Sequence, residues 1–258
     1  MKIAVCSDIH NEFDIWKPKN PDKADVLILA GDIIVNQMLS DKSCINFFNQ
    51  CAKKFKHVIY VMGNHEYYGA DFLTALDLIK NKLSHLSNLY ILNNQYMKLN
   101  DIIFFGTTLW TDCYKENPLY ILEISQAMND YQEIKMGENY FTVEDSIAEF
   151  KQAINFLRNN LWKFKKDKVV VITHHAPTYQ SIPEKYRYDY ALSSAYASSL
   201  DQFILDRPHI KYWIFGHTHT PQEFNVGDTV LLNNSRGYVG YERATDKVDP
   251  YLPKVFEL

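Results

Sequence analysis

Cysteine is scarce and unpatterned in this chain. The 258 residues hold four, Cys6, Cys44, Cys51 and Cys113. None stands in a C-x-x-C spacing, which speaks against a zinc ribbon, a redox motif or a disulfide scaffold. No stretch approaches the roughly 18 apolar residues of a membrane span. The opening "MKIAVCSDIH" has too short an apolar run for a signal peptide and meets an acidic residue at once. A reduced, cytoplasmic protein is therefore expected. Basic excess is missing too: 27 Lys and Arg face 31 Asp and Glu, for a net charge of −4 and a pI near 6.1. That balance gives no reason to expect a surface that coats nucleic acid. The one basic run, "KFKKDK" at 163–168, reads as a solvated helix end. Repeats, low-complexity tracts and linkers are absent, and 47% hydrophobic content can fill a core. One domain over 1–258 is expected, with cap or loop insertions near 110–140 and 177–197.

What is present is a series of short apolar runs, each stopped by polar, loop-forming residues. They are "KIAVC" (2–6), "DVLILA" (25–30), "HVIYVM" (57–62), "DIIFFG" (101–106), "KVVVIT" (168–173) and "KYWIF" (211–215). Their length and β-branched content predict buried strands. Between them, 71–83 carries apolar residues at 72, 73, 76, 79 and 83, a helical spacing. The stretch 142–162 opens with Thr142 and Asp145 as a capping box and runs apolar at 147, 150, 154, 157 and 161. A shorter helix is predicted over 198–206, and a hairpin around Gly227-Asp228 over 223–235. Strands alternating with helices predict a layered α/β architecture.

The chemistry-bearing residues gather just past those strands. Asp8 and His10 follow the first in "SDIH", Asp32 the second in "GDII", and Asn64 and His65 the third in "GNHE". His174 and His175 follow "KVVVIT", and His217 and His219 follow "KYWIF" in "GHTH". On extended chain, residues i and i+2 share a side, so His217 and His219 can aim at one place. The C-terminal strand edge is where ligands collect in layered α/β folds. Imidazoles mixed with carboxylates suit zinc, iron or manganese, whereas calcium would want oxygen alone. Two such cations need a bridging carboxylate. With two Asp and a bridging hydroxide the site nets about +1, a sign suited to a phosphate ester.

"DIH", "GD", "GNHE", "HHAP" and "GHTH", in this order on these strand ends, resemble the calcineurin-like metallophosphoesterase family over residues 3 to about 237. The resemblance implies a four-layer αββα sandwich with a dinuclear metal site at one edge. It implies that Asp8, His10 and His219 hold one metal ion and that Asn64, His174 and His217 hold the other, with Asp32 bridging. Manganese, iron or zinc would serve. His65 corresponds to a proton-donating or phosphate-orienting catalytic histidine. His174 is taken as the ligand of its pair because the strand ends directly before it, leaving His175 behind it or toward substrate. The implied activity is hydrolysis of phosphate mono- or diesters of small molecules or nucleotides, by attack of a metal-bridging hydroxide. A nuclease-type phosphodiesterase or a catalytically silent scaffold are the alternatives, and no obligate protein partner is indicated.

One departure stands out. The family's protein phosphatases carry GDxVDRG at the second block, and here it reads "GDIIVN". The acid that orients the catalytic histidine and the phosphate-binding arginine are both missing from it. Arg236, in "NNSRGY", is a candidate replacement for the arginine. The irregular stretch 176–199 is rich in tyrosine, and Tyr179 or Tyr186 is expected to wall the substrate pocket.

Overall fold

The computed structural model describes all 258 residues. Its strands in chain order are β1 (Lys2–Cys6), β2 (Val26–Ala30), β3 (His57–Val61), β4 (Leu89–Ile91), β5 (Gln95–Leu99), β6 (Ile102–Thr107), β7 (Lys135–Met136), β8 (Asn139–Tyr140), β9 (Lys168–Thr173), β10 (Ile210–Phe215), β11 (Gln222–Val226), β12 (Thr229–Asn233) and β13 (Lys254–Glu257). Its helices are α1 (Lys42–Lys54), α2 (Phe72–Leu83), α3 (Cys113–Glu116), α4 (Pro118–Ala127), α5 (Asp130–Glu133), α6 (Val143–Leu161), α7 (Tyr190–Tyr196) and α8 (Asp201–Leu205).

Two large sheets face each other. The first runs β13-β1-β2-β3-β4, parallel except for β13, and the second β11-β12-β10-β9-β6-β5, parallel through its middle. Alternate residues of each strand meet between the sheets: Ile3, Val5, Val26, Ile28 and Ile59 come from one, and Phe104, Val170, Ile172, Ile214 and Leu232 from the other. The remaining strand residues turn outward and are covered by helices. Phe48 of α1 lies 5.5 Å from the Tyr60 ring, and Phe156 of α6 lies 5.7 Å from Phe105. Both faces of both sheets are thus buried, which is why the central strands read as unbroken apolar runs. The layers are the α, β, β, α expected.

The six predicted strands are β1, β2, β3, β6, β9 and β10, and the hairpin is β11–β12. The capping box is present, with Asp145 N–H donating to Thr142 Oγ1 at 3.1 Å and Thr142 N–H to Asp145 Oδ2 at 2.9 Å. Two differences are instructive. In α2 the covered stripe uses Ala75 rather than Leu73, which is solvent-facing, because Asp71 caps the helix and sets its phase. The helix expected over 198–206 is only α8. Ser198 N–H donates to Ala176 O, and Ala197 bridges Ala176, so the chain is extended there and cannot be helical.

Between α2 and α8 a smaller layer covers the C-terminal strand edge. It includes α4, α5, the β7–β8 ribbon and α7, and rests on its own cluster of Cys113, Ile124, Met128, Val143, Ile147 and Ala195. α3 is a single turn of left-handed sense: Cys113 to Glu116 have φ between 44° and 62°. No helix is long and apolar enough to cross a membrane.

Candidate metal centre

The loops that follow β1, β2, β3, β9 and β10 converge on one point. Asp8, His10, Asp32, His217 and His219 all adopt left-handed backbone, with φ between 47° and 65°. Such conformations cost roughly 1–2 kcal/mol per non-glycine residue. Five together persist because the loops are laced to one another. Asp8 N–H donates to Gly31 O at 2.9 Å and His10 N–H to Asp32 O at 3.0 Å. Glu66, fully buried, accepts from the backbone N–H of Asp32, Ile33 and Gly63 and from the Tyr60 hydroxyl, at 2.6–2.9 Å. Gly63 leaves room for the closest approach, since a Cβ there would stand 2.2 Å from Asp32 Oδ1.

Two donor groups result, sharing Asp32. In one, His10 Nε2 and His219 Nε2 are 3.0 Å apart, with Asp8 Oδ1 3.5 Å from His219 Nε2 and Asp32 Oδ2 3.7 Å from His10 Nε2. In the other, His174 Nε2 is 3.0 Å from Asn64 Oδ1, 3.2 Å from His217 Nδ1 and 3.3 Å from Asp32 Oδ1. Both groups are arranged to hold a metal ion.

The outer hydrogen bonds say which atoms carry protons. His10 Nδ1–H donates to Glu12 Oε1 at 2.8 Å, His219 Nδ1–H to Glu242 Oε2 at 2.7 Å, and His174 Nδ1–H to Ala30 O at 3.0 Å. Each bond turns the ring's Nε2 inward, where its lone pair can hold a cation once any proton on it is displaced. Asn64 is set the same way: its Nδ2 donates to Asp130 Oδ1 at 2.7 Å, so its oxygen faces His174. With the rings neutral, acceptors face acceptors at hydrogen-bond distance, and Asp8 Oδ2 is buried without any partner. Lone pairs packed this way repel unless a cation lies among them. The donor set fits two borderline-soft divalent ions.

Electrostatics point the same way. Burial opposes a charge on His174, but the charge and hydrogen bond of Asp32 prevail and lift it to about 10. Burial also resists charging Asp32, and the surrounding histidines hold its carboxyl well below the usual range. A field that draws a proton so strongly would draw a metal ion to the same place. His175 differs: burial and the neighbouring His174 push it down to about 3.

Residues 1–221 match the sequence profile of the calcineurin-like phosphoesterases. The chain belongs to this family. A curated relative, the uncharacterized protein L509 of Acanthamoeba polyphaga mimivirus, is 30% identical over 281 residues, spanning 96% of this chain and 94% of that one. Among solved structures, the fold resembles the phosphopantetheinyl hydrolase of Mycobacterium tuberculosis, with a TM-score of 0.71 at 17% identity over 92% of this chain and 89% of that one. It also resembles a dimetal phosphatase of Danio rerio, with a TM-score of 0.51 at 14% identity over 90% and 86%.

In this member of the calcineurin-like phosphoesterases the donor groups open into a cavity of about 290 Å³. Asp32, Asn64, His65, His217 and His219 form its floor, and Met128, Ile182, Tyr186, Leu192 and Tyr196 its roof. His65 stands beside the donors: Nδ1 is 3.0 Å from Glu12 Oε1, Nε2 is 3.3 Å from the Tyr238 hydroxyl, and the ring stacks on Tyr68.

Of the substrate contacts expected from sequence, Tyr186 lines this cavity. Three others do not. Tyr179 lines a neighbouring cleft of about 780 Å³ with Tyr114, Arg187 and Phe224, which shares Ile182 and Ser193 with the cavity. His175 is buried between Trp110 and His217, its Nδ1 3.3 Å from Thr108 O. Arg236 is turned away from the metal edge. Its guanidinium donates to the carboxylates of Asp14 and Asp246 at 2.5 and 3.0 Å and to Ile9 O, which pins the loop after β1 instead of reaching substrate.

Glu12, Asp130, Tyr238 and Glu242 orient the donors, and sequence reasoning missed them. Glu12 sits two residues past His10, so adjacency could have marked it. The other three come from distant segments with no motif of their own.

Proposed function

We propose that this chain is a metal-dependent hydrolase of small phosphate esters. Asp8, His10 and His219 would hold one cation, Asn64, His174 and His217 the other, and Asp32 both. The observation that carries the reading is the set of inward-facing ring nitrogens, fixed from outside and open to a cavity. When bound, two such cations neutralise phosphate oxygens and make a water nucleophilic near neutral pH. The chain's own residues supply the rest. His65 presents Nε2 to the cavity, where it can give a proton to the departing oxygen. Asp32 holds the His65 loop through its N–H at 2.9 Å. Tyr186 and Tyr196 bring flat faces to the organic part of the ester.

The cavity's charge narrows the substrate class. None of its 18 lining residues is Lys or Arg, and Glu242 adds a carboxylate at the floor. A phosphomonoester approaches a double negative charge near pH 7, its second pKa being about 6, whereas a diester carries one. Phosphodiesters therefore balance this site better than monoesters. The same lack of cations, with so small a cavity, disfavours a nuclease, which needs a positive track for several phosphates. Manganese-loaded protein assayed on bis-p-nitrophenyl and p-nitrophenyl phosphate tests the reading. A higher kcat/KM on the diester is expected. Two bound metals with no turnover of any ester would leave the scaffold reading instead.

A further inference from the structure

We infer that Glu12 is the residue that positions His65 for the reaction, in place of the acid that the second block lacks. The inference rests on the phosphoesterase reading for its kinetic consequence, though its geometry stands independently. His10 O accepts from Phe13 N–H at 3.0 Å, closing a tight turn that swings Glu12 back over the His10 ring. Asn11 fastens the same loop by donating to Ile33 O and accepting from Trp16 N–H. The carboxylate thereby comes between two imidazoles whose ring centres are 4.5 Å apart. Its Oε1 accepts from His10 Nδ1 at 2.8 Å and from His65 Nδ1 at 3.0 Å. Oε2 is buried and bonds nothing, so one oxygen serves both rings.

A carboxylate only accepts hydrogen bonds, so both Nδ1 atoms carry the hydrogen. Both Nε2 atoms consequently face inward, His10 toward the donor group and His65 toward Tyr238 and the cavity. Tyr68 holds the His65 ring by stacking at 4.3 Å but cannot choose between its nitrogens. Glu12 makes that choice, holding Nδ1 while Nε2 lies against the Tyr238 hydroxyl. In the "GDIIVN" block, Ile33 to Asn36 offer no acid to do so. The orienting carboxylate has moved to the loop after β1, where it fixes a metal donor and the cavity histidine at once.

The test combines a spectroscopic and a kinetic readout. In NMR spectra of zinc-loaded protein, wild-type His65 should show a downfield, slowly exchanging Nδ1–H held by the Glu12 carboxylate, and Glu12→Ala should lose that resonance. An Nδ1–H resonance unchanged by Glu12→Ala would overturn the inference, whether or not any ester is turned over. At saturating metal, Glu12→Ala should lower kcat by about 10–100-fold, the scale of a misplaced catalytic group. Its pattern across alkyl and p-nitrophenyl esters should match that of His65→Ala, and adding it to His65→Ala should cost little more. Losses that multiply would mean that Glu12 acts elsewhere. Glu12→Gln keeps an acceptor oxygen and should recover part of the rate. Should the alanine variant misfold, Glu12→Gln paired with His65→Ala completes the same cycle. A wild type without turnover fails the phosphoesterase reading and leaves the spectra to decide on Glu12.

Discussion

At the strand ends, strained backbone is held in place by buried hydrogen bonds. Above them, the roof is built from short helices that leave large apolar side chains in water. Leu119 and Tyr188 are 75% and 81% exposed, whereas Asp8, His10 and His174 are 0% exposed. The floor spends backbone strain to fix donors before any ligand arrives, a pre-organisation that metal chemistry rewards. The roof has little strain outside α3, and it meets the donors at Asp130, which holds Asn64, and at Tyr196, which stacks on His217. On the proposed reading, chemistry would belong to the floor and selectivity to the roof.

Disrupting the floor should have the larger effects. Asp32→Asn removes an anionic oxygen from both donor groups. Metal content and activity should fall together, beyond the roughly 10–100-fold typical of outer hydrogen-bond partners; metal analysis alongside turnover checks this. His65→Ala should lower kcat by about 10²–10⁴-fold with metal content unchanged, and more on alkyl than on p-nitrophenyl esters. Equal losses on both would assign His65 to orienting phosphate. Glu66→Ala strips the partners from four buried N–H groups and the Tyr60 hydroxyl. Thermal unfolding should register a loss of about 3–5 kcal/mol. In the roof, Tyr186→Ala should raise KM a few-fold for the preferred substrate and spare p-nitrophenyl phosphate. Tyr179→Ala, changed in the neighbouring cleft, should leave both unaffected. An equal KM effect from the two would erase the distinction between cavity and cleft.

Legibility followed the same division. Strands buried on both faces must be apolar throughout, so β1, β2, β3, β6, β9 and β10 announce themselves, as do the loops at their ends. Helix α6 is readable from its capping box and stripe. α1, with Cys44, Phe47, Phe48 and Cys51 at helical spacing and Asp41 as its cap, was equally readable and went unread. β13 could not be found locally, because four ordinary residues become a strand only by pairing with β1 at the other end of the chain. The roof helices pack one side against a small cluster, too short to build a period. Arg236 looked like a reaching cation, but its partners Asp14 and Asp246 carry no mark among 31 acidic residues.

The central claim is that Asp32 joins two cation sites. Anomalous diffraction from manganese-soaked crystals addresses it most directly. Two peaks about 3.5–4 Å apart, one toward His10 and His219 and one toward His174 and His217, with Asp32 between them, are expected. A single peak, or two that do not share Asp32, would contradict it.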